Sequence, residues 1–119
     1  MLLTREQILA AQDVAAREIN VPEWGGVVRL RAMTGVDRDE YMTALAAAQK
    51  SGEEGQRWHR LMALLVVLCA VDAQGERLFA REDAETLAAK SAAVLERISN
   101  EIQAINALGE KQVEELGNG

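Results

Sequence analysis

The strongest constraint on how this chain can fold is an apolar run, Leu61 to Val71, in which eleven consecutive residues carry no charge. A bilayer needs about twenty such residues, so the run is read as a buried helix and membrane insertion is not expected. The segment from roughly Gln56 to Val71 starts polar and turns apolar around its whole circumference, the pattern of a helix surrounded by its own domain. It is the expected central helix, and the other segments are expected to cover it.

At 119 residues the chain is one domain, 1–119, long enough to bury roughly two thirds of the surface its unfolded form exposes. Its composition, 49% hydrophobic and 27% charged, is that of a folding chain. Alanine and leucine abound while aromatics are limited to Trp24, Tyr41, Trp58 and Phe79, which favours helices with aliphatic cores.

Thr4-Arg5-Glu6-Gln7 matches a capping box and opens a short helix over Arg5 to Gln12 within 1–13. In 14–33 the period changes to two: Arg17 to Val21 and Val28 to Ala32 alternate around Pro22-Glu23-Trp24-Gly25-Gly26, which predicts a β-hairpin. Ile19, Val21, Val28 and Leu30 would share one face, with Arg29 and Arg31 on the other. A lone hairpin is only marginally stable in water, so that apolar face is expected to lie on helices.

The helical body spans 34–109. Thr34 caps a helix from about Val36 to Lys50, with Asp37, Asp39 and Glu40 at the positive end of its dipole and Tyr41, Leu45 and Ala48 facing inward. Ser51 to Gly55 reads as a loop open to proteases. Asp72-Ala73-Gln74-Gly75 reads as a turn. A short helix over Arg81 to Ala89 follows, and Ser91 caps a last helix stopped by Leu108-Gly109, leaving 110–119 as a flexible acidic tail. The fold class is mainly α (α+β): a helical bundle of about four to five helices with one N-terminal β-hairpin packed on it.

Chemistry is sparse. His59 is the single histidine, so no site needing two imidazoles can form. Cys69, the single cysteine, lies in the apolar run, where its thiol is kept neutral and an internal disulfide is excluded; a reducing compartment is expected. The glycine pairs lack the lysine and hydroxyl of a phosphate loop, and no carboxylate group has calcium-loop spacing. The sequence indicates no catalytic set, no cofactor and no metal. Thirteen basic against nineteen acidic residues give a net charge of -6, which repels nucleic acid unless Arg29, Arg31, Arg57 and Arg60 gather on one face. The amino terminus carries no secretion-signal pattern.

Two features remain as candidate partner-binding surfaces. Trp24, flanked by glycines at the hairpin tip, either folds back on the core or projects as an anchor. Leu95, Ile98, Ile102 and Ile105 recur at three- and four-residue intervals and form either an internal packing stripe or a docking face for another helix.

The order of these segments resembles the tail assembly chaperones of long-tailed phages and of prophages. The likeness rests on Met1 to Leu9, on Val21-Pro22-Glu23-Trp24-Gly25-Gly26 with Val28-Arg29-Leu30-Arg31, and on Met33-Thr34-Gly35-Val36-Asp37-Arg38-Asp39. It continues in Val71-Asp72-Ala73-Gln74-Gly75-Glu76-Arg77-Leu78-Phe79 and in Lys90-Ser91-Ala92-Ala93. The resemblance implies a protein of the host bacterial cytoplasm, absent from the mature virion, that binds the tape measure protein and aids recruitment of tail tube subunits. It also implies that a longer frameshifted product can exist. The alternative is a structural tail completion or connector protein retained in the virion. Homo-oligomers fit either reading.

Overall fold

The computed structural model describes residues 1–51 and 54–117, and side-chain burial for 1–50 and 58–107. Of the loop expected over Ser51 to Gly55, Gly52 and Glu53 therefore lie outside the described residues, whereas Ser51 ends one helix and Glu54 and Gly55 begin the next. Asn118 and Gly119 also lie outside them, and with them the side chains of the expected acidic tail.

Among the described residues there are five α-helices and three short strands. They are α1 (Arg5–Ala10), β1 (Ala16–Val21), β2 (Gly26–Arg31), α2 (Gly35–Ser51), α3 (Glu54–Cys69), β3 (Ala70–Val71), α4 (Ala84–Ala88) and α5 (Ala92–Gly117). The α+β class and the hairpin on a helical body are thus as the sequence predicts.

The apolar run forms the centre. Leu61, Met62, Ala63, Leu65, Val66, Val67, Leu68 and Cys69 are all buried, and only Leu64 in this stretch is half-exposed. Each large aliphatic side chain withdrawn from water in this way is worth about 1.5–3 kcal/mol before entropy. Helices α2, α4 and α5 pack around α3, and Val94, Leu95, Ile98, Ile102 and Ile105 of α5 complete the core.

The hairpin closes through one turn of 3-10 helix at Pro22–Trp24, with the Gly25 amide donating to the Pro22 carbonyl at 3.0 Å. Gly25 has φ +83, a left-handed conformation open to glycine at no steric cost. Val21 pairs with Gly26, Ile19 with Val28 and Arg17 with Leu30. Ile19, Val21, Val28 and Leu30 therefore share the face that meets the core. On the opposite face Glu18 lies across from Arg29, whose Nη2 donates to its carboxylate at 2.8 Å.

The structure departs from the sequence reading in three further places. Ala70 and Val71 are not the last turn of the central helix. They form a strand that pairs with β2, Leu30 with Ala70 and Arg29 with Val71, and make a three-stranded sheet of order β1-β2-β3. A two-residue strand shows no period, and the tertiary pairing overrides the helical pattern that precedes it. The short helix expected over Arg81 to Ala89 is divided into 3-10 helix at Arg81–Asp83 and α4. Leu108-Gly109 does not stop the last helix, which runs on to Gly117; a glycine in a helix interior costs only about 1 kcal/mol.

Candidate functional site

The connection from the hairpin into α2 is held by one carboxylate. Asp37 lies on the first turn of α2 and is 2% exposed. The Thr34 hydroxyl accepts from the Asp37 amide at 3.1 Å, and the Thr34 amide donates to Asp37 Oδ2 at 3.0 Å. This reciprocal cap satisfies two helix-end donors at once. The same carboxylate accepts from Arg31 Nη2 at the end of β2, 3.2 Å away, and from Arg77 Nη2 at 2.5 Å. Burial alone would raise the Asp37 pKa; the Thr34 amide and the two guanidiniums outweigh it and hold the carboxyl below its ordinary value.

Arg77 is delivered by a tight loop. Asp72 Oδ1 accepts from the amides of Gln74 and Glu76 at 2.8 and 3.0 Å, and Gly75, with φ +85, allows the reversal that sets Arg77 against Val71. Two further ion pairs, Arg17 with Glu101 and Arg97 with Glu23, fasten β1 and the hairpin tip to α5. In the second, both guanidinium ends reach the carboxylate, at 2.7 and 3.0 Å.

This frame leaves a groove of about 280 Å³ between α2 and α5. Its apolar surface comes from Met33, Tyr41, Met42, Leu65, Ile102 and Ala107, with Arg38, Gln103 and Asn106 as polar lining. Asn106 joins two parts of its lining: Oδ1 accepts from the Met33 amide at 3.1 Å while Nδ2 donates to the Ile102 carbonyl at 2.8 Å. The segment between β2 and α2 is thereby tied to α5.

A second apolar surface stands apart from the core. Helix α1 has the predicted capping box, with the Thr4 amide donating to the Gln7 side chain and Thr4 Oγ1 accepting from the Gln7 amide. It buries none of its residues. Met1, Leu2, Leu3, Ile8 and Leu9 are all exposed, Leu2 at 95%. Such contiguous apolar exposure marks an interaction surface.

The candidate residues read from the sequence fall in different places. Trp24 packs against the core and is half-buried. Leu95, Ile98, Ile102 and Ile105 are buried, and only Ile102 among them lines the groove. As folded, the stripe is a packing surface, with the chain's own helices occupying the place another helix would take. The groove and the exposed arm went unread in the sequence. Asn106, a polar residue directly after the stripe, was the available signal for the first, and Leu2, Leu3, Ile8 and Leu9 for the second.

Burial, reinforced by the nearby Asp37 carboxylate, pushes the Cys69 thiol up to about 12, which withholds the reactive thiolate at neutral pH. Among the described residues no three His, Cys, Asp or Glu side chains could hold a metal, and no helix is long and apolar enough to cross a membrane. Arg29 and Arg31 are each bound to a carboxylate.

A protein-family model described as phage tail assembly chaperone matches residues 4–116 of the chain. Among solved structures, that of the bacteriophage HK97 tail assembly chaperone aligns with a TM-score of 0.61, covering 84% of this chain and 90% of that one at 17% identity. At that identity the likeness is one of fold. Among curated protein sequences none matches.

Proposed function

This chain belongs to the phage tail assembly chaperone family, and from that premise we propose that it binds the tape measure protein, keeps its long helices soluble, and aids recruitment of tail tube subunits. The observation that carries the reading is the apolar surface that the fold leaves outside. A family of assembly factors needs a surface for another protein. This molecule has an arm of large aliphatic side chains and an apolar groove in addition to a closed core. Long helices without partners expose aliphatic stripes, and aliphatic surface of this kind covers them without specific polar matching.

Of the residues singled out in the sequence, Trp24 retains surface for a direct contact at the hairpin tip. Leu95, Ile98 and Ile105 would act by holding α5 in place, and Ile102 by forming part of the groove wall. The work is placed in the host bacterial cytoplasm, and the mature virion is expected to lack the protein. No step of this activity calls on catalysis.

Coexpression with the tape measure gene tests the reading. A soluble complex containing both chains is expected. A tape measure protein equally soluble without this chain would overturn the proposal. Mass spectrometry of intact particles separates it from a connector role, in which the chain would remain in the virion.

A further inference from the structure

We propose that the outer edge of β1 captures an extended segment of the client as an added strand of the sheet. The inference rests on the client-binding reading above and gives one surface of it a chemistry: backbone pairing with the stretches that join the tape measure helices.

The pairing of the hairpin fixes which groups are free. The Ala32 amide donates to the Ala15 carbonyl at 2.8 Å, and the register then runs unbroken from Ala16 with Arg31 to Val21 with Gly26. In an antiparallel ladder every second residue turns its N–H and C=O to the partner strand. Ala15, Arg17, Ile19 and Val21 therefore bond toward β2, while the amides and carbonyls of Ala16, Glu18 and Asn20 point away from it. Those outward groups have no hydrogen-bond partner among the described residues, and the three residues that carry them are exposed. The opposite edge of the same sheet is closed by the chain itself, where Arg77 bridges to Val71 and the Leu78 amide donates to the Ala70 carbonyl at 3.1 Å.

Exposed edges are commonly blunted by a proline, a bulge, a covering segment or charged side chains that stand over them. The residues of β1 include no proline, pair one to one with β2 and are uncovered on the outer side. Its two charges are drawn off the edge, Arg17 to Glu101 on α5 at 2.9 Å and Glu18 back across the ladder to Arg29 at 2.8 Å. The open groups recur about every 6.8 Å, twice the strand rise, which matches another extended backbone. A helix cannot use them, because its own N–H and C=O groups bond within it. The segments between client helices carry unpaired backbone groups and can. Main-chain bonds of this kind tolerate varied sequence, as capture along a long client requires. Ile19, half-buried on the core side of β1, favours an apolar, β-branched neighbour on the added strand.

Coexpressed complexes of the full chain with the tape measure protein test this. Glu18→Pro removes one outward N–H and leaves the ladder bonds to β2 in place; Glu18→Ala keeps that N–H and loses only the side chain. Glu18→Pro should recover at least about tenfold less soluble tape measure protein than wild type, and Glu18→Ala should match wild type. Residue-resolved hydrogen exchange on the wild-type chain gives a second reading that requires no variant to fold. In the free chain protection should alternate, with Arg17 and Ile19 slow and Ala16, Glu18 and Asn20 fast. In the complex the last three should slow by at least about tenfold. Equal capture by a folded Glu18→Pro chain, or unchanged exchange at those three amides in the complex, overturns the inference and leaves client binding standing. Slowing in the chain alone at high concentration, or with the tube subunit and not the tape measure protein, assigns the edge to another occupant and overturns it as well. A tape measure protein equally soluble without this chain overturns both readings.

Discussion

The carboxylate of Asp37 closes the first turn of α2 and also binds guanidiniums from β2 and from the loop after β3. Asp37→Ala removes the cap and strands two arginines. It should cost about 2 to 4 kcal/mol in urea unfolding, below the figure for a fully buried pair because Arg77 and Arg31 keep contact with water. The folded carboxyl has a lowered pKa. Its contribution is therefore complete above the unfolded value of about 3.9 and is lost as pH falls through that value toward the folded one. The wild-type midpoint should drop over that window and the variant's should drop less; equal slopes would refute the assignment. Thr34 was legible as a cap, and Asp37 as a charge suited to a helix start. Its burial was not, because one of its two arginines lies forty residues away in sequence, and the sequence pattern holds no trace of their meeting.

At the level of elements, long period-bearing segments could be read and short ones could not. The apolar run states a helix buried on all sides, the alternation of the hairpin states its apolar face, and the three- and four-residue spacing of Leu95, Ile98, Ile102 and Ile105 states one apolar stripe, though not what covers it. Ala70 and Val71 state nothing alone; they become a strand because β2 lies beside them. The α2/α5 groove could not be assembled from the sequence for a similar reason: Asn106 after the stripe marks a polar position, but its meeting with Met33 and Met42 across the fold leaves no pattern. The same contrast sets an energetic expectation. Ile98→Ala opens a cavity where α5 meets α3 and should cost about 2 to 5 kcal/mol. Thr4→Ala weakens the α1 cap by about 1 kcal/mol. Because α1 buries nothing, global unfolding should be unmoved. Urea melts of both variants, with circular dichroism for the loss of α1, check the pair. A large shift for Thr4→Ala would mean that the arm is packed on the body.

Taken whole, the molecule keeps its single thiol fully buried while its first ten residues are in solvent. Cys69 should therefore report on complete unfolding. In native buffer a thiol reagent should label it at a rate limited by the rare open state, with labelling accelerating in urea along the global melt. Fast labelling in native buffer would show that the end of α3 opens locally. Composition foretold the aliphatic core. It did not foretell where the arm points, because that depends on the extended backbone at Ala11 and its junction with β1.

One junction has a mechanical meaning. Cys69 ends α3 and Ala70 begins β3 with no residue between them, and Ala70 is paired to Leu30. The molecule has no slack at that point: sheet and central helix form a single stiff lever. A tug on the hairpin or the arm rooted in it travels straight to the middle of the core, so a client's pull at one end would be felt at the other without any hinge to absorb it.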